Sequence, residues 1–305
     1  MKAGFIKKLR SRRTTINSTI MEQDGLIELD NDTRERLQAV LLSMYQDICD
    51  VAEKYDLVPY LAGGTALGAV RHRAFIPWDD DLDIAMTRDD YLVFRRVFQK
   101  ELGREYILDA PNYSRNPKAR FPKVMKKGTL CRDMGDNSDP ENCGIFVDIF
   151  IIENIPDNKV QRFLKGVFCN SLEFIAGQVA LMELNNRRSI AGINNEGKTV
   201  AAIRMLTGMI FGIVPSGNWY NGIDKAVRGP ECSALSGLPT GRKHYFGEIL
   251  SKEVFFPPRY IDFCGMKAPV FHKVEEYLSN LYGDDYMELP PVEKRERHLY
   301  TELEF

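Results

Sequence analysis

Several residue patterns that mark particular classes of protein are scarce in this sequence. Its 305 residues include four histidines and six cysteines, all dispersed, and no two cysteines have Cys-x-x-Cys spacing. Neither a structural zinc site nor a disulfide framework is therefore expected. Scattered, unpaired thiols instead favour a reducing compartment.

The sequence also lacks an excess of charge of either sign. Lysine and arginine total 41, aspartate and glutamate total 43, and the formal net charge is −2. Because nucleic-acid-binding surfaces carry a marked basic excess, no nucleic-acid partner is expected. The chain is 44% hydrophobic and 28% charged, as in ordinary soluble proteins. Its length allows one large domain or a core domain with a helical appendage.

Long uninterrupted apolar runs are missing as well. Residues 2–13 are basic, but no apolar segment follows them, so no secretory signal is expected. The apolar stretches at 157–186 and 200–214 contain polar residues or fall short of the about 20 apolar residues that a membrane span needs. We expect a cytoplasmic protein. The basic N-terminus is either a disordered tail or a segment that contacts the inner face of the plasma membrane, and the two apolar stretches are either the core of a helical bundle or helices that rest on that membrane.

An acidic cluster downstream of a glycine pair is the most informative stretch. Gly63 and Gly64 end a short apolar run, a helix-compatible segment follows, and the stretch closes on carboxylates that include Asp81 and Asp83. In a strand, Asp81 and Asp83 would point to the same face. Their mutual repulsion becomes attraction to a hard cation placed between them, and Mg²⁺ or Mn²⁺ prefers such oxygen ligands.

The glycine pair itself suggests a phosphate cradle. Glycines before a helix let backbone N–H groups approach a phosphate, and the positive end of the helix dipole adds to the attraction. Together with the carboxylates, this predicts phosphoryl or nucleotidyl transfer. A solvated acidic turn is the alternative for an isolated Asp-x-Asp. The preceding Gly-Gly and the strand-like residues that follow argue against that alternative.

Asp148 is a candidate third carboxylate. It lies in the middle of residues 144–152, the clearest strand by its β-branched and aromatic content. A carboxylate inside an apolar strand is costly unless it is paired or binds a metal. A hydrogen bond to backbone is the alternative, but the upstream Asp81 and Asp83 favour a metal ligand.

The element pattern predicts an α+β fold: a mixed sheet flanked by helices, with an additional mainly helical region. The predicted parts are a basic N-terminal tail at 1–30, a catalytic core at 31–156, a helical insertion at 157–214 and a C-terminal part at 215–305 that completes the active site. Helices are predicted near 33–55, 157–186, 200–214 and 270–282, strands near 106–108, 120–125 and 144–152, and a loop over 131–143.

The segment GGTALGAVRHRAFIPWDDDLDIAM resembles the signature of the LicD-like phosphotransferases, a family that includes the fukutin-type ribitol-phosphate transferases. These enzymes belong to the nucleotidyltransferase superfamily, so the resemblance implies that the mixed sheet of the catalytic core is nucleotidyltransferase-like. The superfamily pattern is Gly-Gly or Gly-Ser, then Asp-x-Asp at a strand, then a third carboxylate on a neighbouring strand. The tail YGDD…PPVEKRERH is also similar to that of the family. Residues 157–270 carry no motif that matches.

The resemblance implies metal-dependent transfer of a phosphorylated alcohol, such as phosphocholine, from a CDP-linked donor, with release of CMP. The implied acceptor is a sugar hydroxyl of a lipid-linked or nucleotide-linked precursor of a cell-surface glycan, lipopolysaccharide or teichoic acid. Asp81, Asp83 and Asp148 would hold Mg²⁺ or Mn²⁺ and carry the catalysis. One of these carboxylates would take the acceptor proton.

The resemblance also assigns residues to the donor. The predicted donor-phosphate contacts come from the glycine-rich turn and from basic residues upstream, in the middle and near the C-terminus of the chain. They are Gly63, Gly64, Thr65, Arg71, Lys123, Arg295 and His298.

Two other functions fit the same pattern. In a nucleotidyltransferase, attack occurs on the α-phosphorus and pyrophosphate leaves. A non-catalytic binding module on the same fold is the second, although the three intact carboxylates argue against it.

Overall fold

The computed structural model describes residues 28–133, 143–183, 198–295 and 300–305. All but the last three residues of the predicted N-terminal tail lie outside this part of the chain. No helix among the described residues has both the length and the apolar content that a membrane crossing requires.

The described strands occur along the whole length of the chain. They are β1 (Tyr60–Leu61), β2 (Asp83–Thr87), β3 (Tyr106–Asp109), β4 (Lys123–Lys126), β5 (Leu130–Asp133), β6 (Phe146–Ile155), β7 (Leu235–Gly237), β8 (Ile249–Ser251), β9 (Arg259–Phe263), β10 (Met266–Val270) and β11 (Tyr300–Glu304).

Helices separate most of these strands. They are α1 (Asn31–Lys54), α2 (Gly63–His72), α3 (Arg88–Glu101), α4 (Lys159–Glu183), α5 (Lys198–Phe211), α6 (Ser216–Val227), α7 (His244–Gly247), α8 (Lys252–Phe255) and α9 (Val274–Tyr282), with a 3₁₀ turn at Val292–Lys294.

One mixed sheet organises the fold, as the sequence predicted. Its order is β1-β2-β6-β4-β3, and the far end of β6 continues through β7 to β8. The pair β2–β6 is parallel, whereas β1–β2, β4–β6, β3–β4 and β6–β7 are antiparallel. The ten-residue β6 is therefore central, because it pairs with strands on both sides.

Helix α1 covers this sheet with one apolar face. Leu37, Leu41, Met44 and Ile48 recur at helical spacing and are at most 1% exposed. The helix begins two residues before the predicted position, because the carboxylate of Asp30 accepts a hydrogen bond from the Thr33 N–H and so caps its N-terminus.

Part of the predicted loop at 131–143 is instead a strand. Residues 130–133 form β5, which pairs in antiparallel fashion with β11 at the C-terminus. The pairing with β11 satisfies the backbone N–H and C=O groups of β5, and nothing in the local sequence indicates this partner. Since its partner is remote, the pairing could not be read from the polar composition of the segment.

The helical region has a small core of its own. Ile155 at the end of β6 packs with Cys169 and Ala176 of α4 and with Ile223 of α6. The predicted helices at 157–186 and 200–214 correspond to α4 and α5. Asn158 provides the first side-chain acceptor for α4, as its Oδ1 accepts the N–H groups of the next turn.

Candidate active site

Two predicted site carboxylates lie side by side on the central strands. Asp83 begins β2, and its register partner on the parallel strand β6 is Asp148. Neighbouring register partners direct their side chains to the same face of a sheet. The flanking residues Leu82, Ile84 and Ile149 are fully buried. Apolar packing on the opposite face therefore fixes both carboxylates on the face that carries the site.

Lys123 extends this pair into a row of three. It is the register partner of Asp148 on the other side, across the antiparallel pair β4–β6. Its Nζ lies 2.8 Å from Asp148 Oδ1, an ion pair that falls outside hydrogen-bond angles. The same ammonium is 3.5 Å from the centre of the Phe146 ring. A cation is thus held beside the central carboxylate, and the contact of Lys123 with donor phosphates stays a prediction.

The glycine pair contacts the carboxylates directly. Gly63 has φ +53°, and a Cβ built on it would lie 2.7 Å from Asp83 Oδ2. A Cβ on Gly64 would lie 2.9 Å from Asp79 Oδ2. Any side chain at either position would displace a carboxylate. Glycine is therefore required here for close approach, and at Gly63 also for its left-handed conformation.

Thr65 and Asp83 are joined through the backbone. The buried Thr65 hydroxyl accepts a hydrogen bond of 2.9 Å from the Asp83 N–H, and the Ala62 N–H donates to the Asp83 carbonyl. Helix α2 and strand β2 are thereby held together at the position where the Asp83 side chain emerges. The contact of Thr65 with donor phosphates stays a prediction.

Asp81 lies just before β2. From Asp81 to Ile84 the burial alternates between half-buried and buried, as in an extended segment with its odd positions on one face. The adjacent Asp80 is mostly buried and hydrogen-bonds to Tyr300 of β11. Burial and the negative charges of Asp80 and Asp81 raise the pKa of the Tyr300 phenol, so Tyr300 stays a donor at neutral pH.

The carboxylates fit a magnesium-type site, although they do not form a closed cage. Among the residues that the structure describes, no three His, Cys, Asp or Glu side chains are grouped closely enough to hold a metal. Mg²⁺, however, is commonly bound by one or two carboxylates together with water and substrate phosphates. Asp83 and Asp148, adjacent on rigid strands, supply that donor set.

Arg71 is committed to the C-terminal segment. Its Nη1 donates to the carbonyl oxygens of Tyr286 at 2.9 Å and of Glu288 at 3.1 Å. Burial lowers the pKa of this guanidinium, which still remains charged. Arg71 therefore anchors the segment that carries Arg295, and its contact with donor phosphates stays a prediction.

Arg295 lies over the connection between α2 and β2. Its guanidinium carbon is 4.0 Å from the centre of the Trp78 ring, and that of Arg71 is 5.8 Å from the same ring. The C-terminal segment thus lies against Trp78, the residue before the acidic stretch, while the contact of Arg295 with the donor stays a prediction. His298, the last predicted site residue, lies outside the described residues.

A tyrosine and a glutamate that the sequence did not suggest support the glycine turn. The Tyr277 hydroxyl accepts a hydrogen bond of 3.2 Å from the Gly63 N–H and donates to Glu248 Oε2 at 3.3 Å. Burial raises the pKa of both groups, and it raises that of Tyr277 well above its ordinary value. The only sequence signal was the apolar face of α9, which does not single out Tyr277.

Known proteins resemble the part of this chain that carries the glycine turn and the carboxylates. Residues 57–163 match the family model for the LicD/FKTN/FKRP nucleotidyltransferase domain. The chain is 26% identical to the lipopolysaccharide cholinephosphotransferase LicD of Haemophilus influenzae over 266 residues, which cover 87% of this chain and 96% of that protein.

Shorter stretches match two uncharacterized proteins. One, from Rickettsia typhi, is 42% identical over 67 residues, or 20% of this chain and 22% of that protein. The other, from Rickettsia prowazekii, is 41% identical over 120 residues, or 38% and 41% of the two chains. The family match spans the glycine turn and the whole Asp83–Asp148–Lys123 row.

Proposed function

This chain is a LicD-like phosphotransferase, and from that premise we propose that it transfers phosphocholine, or a similar alcohol phosphate, from a CDP-linked donor to a sugar hydroxyl of a cell-surface glycan precursor. The H. influenzae relative is named for phosphocholine transfer to lipopolysaccharide, which supports the choice of group and of acceptor class. The reaction releases CMP.

The row Asp83–Asp148–Lys123 is the observation that carries this proposal. In the proposed step the acceptor oxygen bonds to the phosphorus that bears the alcohol, and the bond from that phosphorus to the CMP oxygen breaks. A site carboxylate takes the acceptor proton, and CMP leaves with the bonding pair. Fixed charges on rigid strands favour such a step because they need no reorganisation as charge develops.

A divalent cation fits the proposal. Asp83 and Asp148, with Asp81 two residues before the strand, would hold Mg²⁺ or Mn²⁺. Such an ion would supply charge neutralisation at the diphosphate. The N-terminus of the ten-residue helix α2 directs its backbone dipole toward the same carboxylates and would attract donor phosphate oxygens.

A donor panel tests this function. Purified protein is incubated with Mg²⁺ or Mn²⁺ and either CDP-choline, CDP-ethanolamine, CDP-ribitol or nucleoside triphosphates, together with a glycan acceptor. Release of CMP from a CDP-alcohol supports the proposal. Release of pyrophosphate from a triphosphate, with no CMP, would instead assign nucleotidyl transfer to the α-phosphorus.

We also propose that the helical region rests on a lipid surface at the cytoplasmic face of the membrane. Phe163, Leu164 and Phe168 of α4 are 57–62% exposed and share one helical face. Met209 and Ile210 of α5 are 63% and 57% exposed. Soluble monomers rarely expose large apolar patches, and an apolar helix face lying in the bilayer interface would bury these side chains. Such contact would bring the protein close to a lipid-linked acceptor.

Vesicle co-sedimentation tests the membrane contact. Binding to phosphatidylglycerol-containing vesicles at low ionic strength supports the contact. A protein that stays in the supernatant at every lipid concentration would rule out lipid contact of these helices and point to a soluble, nucleotide-linked acceptor.

A further inference from the structure

A cleft of about 210 Å³ lies between α4, α6 and the residues that precede β4. Its volume is below that of a pocket for a drug-sized ligand, which suits a small ligand moiety. Its lining combines two charged side chains, one aromatic ring and small apolar groups. These residues are Arg120, Glu173, Ala176, Gly177, Ala180, Leu181, Tyr220 and Ile223.

The Glu173 carboxylate has an oxygen atom to which a ligand in this cleft could donate a hydrogen bond. Its side chain is 6% exposed, and its Oε2 lies 2.5 Å from His244 Nδ1. The other oxygen, Oε1, is buried and accepts no hydrogen bond from any residue that the structure describes. Arg120 Nε is 3.5 Å from Oε1 and donates to the Thr240 carbonyl instead. A buried acceptor without a donor is unfavourable, so a ligand O–H or N–H directed at Oε1 would be favoured.

The charges that face the cleft select the class of ligand. Arg120 and Glu173 carry opposite charges, so neither a cation nor an anion is strongly favoured. A neutral ligand that donates hydroxyl hydrogen bonds to Glu173 fits best. Tyr220 and Ile223 offer apolar surface, while Gly177 and Ala180 allow close approach. A ligand with hydroxyl donors and an apolar face, such as a sugar ring, matches both kinds of surface.

The position of the cleft links it to the transfer reaction. The Arg120 guanidinium carbon is 5.5 Å from the centre of the Phe121 ring, and Lys123 Nζ is 5.4 Å from the same ring. Phe121 packs against Phe150 of β6, with ring centres 4.8 Å apart. Phe121 therefore contacts both the cleft and the catalytic row. One aromatic residue thus connects the lining of the cleft with Lys123 and with the strand that carries Asp148.

We infer that this cleft binds a sugar ring of the acceptor, with Glu173 Oε1 accepting a hydrogen bond from one of its hydroxyls. The inference rests on the proposed transfer to a glycan and adds a location for that glycan. Glu173 is assigned to binding and orientation of the acceptor, and the chemical step stays with the Asp83–Asp148–Lys123 row.

Saturation-transfer NMR with methyl hexosides and methyl N-acetylhexosaminides as probes tests the cleft without any turnover. At least one probe is expected to bind the wild-type protein. Glu173→Gln should weaken that binding about tenfold or more, because the acceptor of the hydroxyl hydrogen bond loses its charge and half of the new amide is a donor. Ala180→Leu, which fills the cleft, should abolish it. The exposed substitution Glu276→Gln is the matched control and should leave binding unchanged.

Donor measurements on the same variants separate this inference from the proposed function. Glu173→Gln should raise the KM for acceptor while the Kd for CDP-choline and the thermal melting temperature stay at wild-type values. If the wild type releases no CMP from any CDP-alcohol of the panel but binds a methyl glycoside in the cleft, the proposed function fails and the assignment of the cleft to a sugar ring stands. If CMP is released but no probe binds, or binding is unaffected by both cleft variants, the inference is overturned. Competition by choline for the cleft would also overturn it, since the donor's alcohol would then occupy this site.

Discussion

The central sheet and the α4–α5 region depart from the usual distribution of side chains in opposite ways. In the sheet, Asp83 and Asp148 project from strands whose flanking residues are fully buried, and the Asp148 side chain is only 14% exposed. On α4, Phe163 and Leu164 are 60% and 62% exposed. Charged side chains are thus largely buried in the sheet, whereas apolar side chains are exposed on α4.

The two departures differ in how they are compensated within the fold. The carboxylates of the sheet have fixed neighbours: Lys123 beside Asp148, and Gly63 against Asp83. The exposed Phe163 has its ring centre 6.2 Å from that of Phe246, which is itself exposed. Local departures from the packing rules commonly mark functional sites. We therefore expect changes in the sheet to affect turnover most and changes on α4 to affect membrane contact.

The largest effect is expected from the carboxylates. Asp81→Asn and Asp83→Asn should each lower kcat at least 100-fold, about 2.7 kcal/mol in barrier, because an anionic oxygen ligand is lost. The fold should persist, since removing one of two like charges relieves repulsion. Steady-state CMP release and circular dichroism check both parts. Asp50→Asn, an exposed change on α1, is the control, and a site variant with more than a tenth of wild-type turnover would refute its assignment.

Substitution of Lys123 tests whether its ammonium stabilises the largely buried carboxylate of Asp148. Lys123→Met leaves Asp148 without its cation and should lower the free energy of unfolding by about 1–3 kcal/mol at neutral pH, less than for a fully buried pair because both side chains are partly exposed. The double variant Lys123→Met/Asp148→Leu should recover most of that loss in urea unfolding. Simple additivity of the two single changes would show that the pair is not coupled.

Alanine substitutions at two glycines distinguish the effect of a close contact with a carboxylate from the effect of backbone strain. Gly63→Ala places a Cβ 2.7 Å from Asp83 Oδ2 at φ +53°, whereas Gly128→Ala, at φ +74°, has no atom within 4 Å of its Cβ. Both should lose about 1–2 kcal/mol of stability from the left-handed conformation. Gly63→Ala should additionally lower kcat about tenfold or more. Equal turnover in the two variants would mean that Asp83 does not need the contact.

The smallest effect on stability is expected on α4. Phe163→Ser/Phe168→Ser removes exposed rings and should change the free energy of unfolding by no more than about 0.5 kcal/mol. Vesicle binding should nevertheless fall severalfold. Tyr260→Ser, an equally exposed aromatic on β9, provides the control. Unchanged vesicle binding in the α4 variant would assign the exposed face to something other than lipid.

Local sequence predicted the parts of the site that are local in the chain. The glycine turn, the helix after it and the strand of Asp148 follow from glycine placement and from β-branched content over a few residues. The family resemblance implied only that Asp148 lies on a strand next to that of Asp83. Their parallel alignment was not predicted, because register between distant strands is not a local property.

The contacts missed by sequence reasoning join remote segments. The Gly63 N–H donates to Tyr277, 214 residues away, and Arg71 reaches the Tyr286 carbonyl, 215 residues away. The carbonyl contacts of Arg71 could not be predicted, because basic residues look alike in sequence whether they bind a ligand or a carbonyl. The strand β5 was missed for the same reason, since its partner β11 ends the chain.

The position of bond cleavage in the donor tests the central claim most directly. CDP-choline labelled with ¹⁸O in the oxygen that bridges its two phosphorus atoms is incubated with the protein, Mg²⁺ and acceptor, and the products are examined by ³¹P NMR. Attack on the choline-bearing phosphorus, the predicted reaction, leaves all of the label in CMP. Label found in phosphocholine would show attack on the cytidine-bearing phosphorus and would contradict the phosphotransferase assignment made from the Asp83–Asp148–Lys123 row.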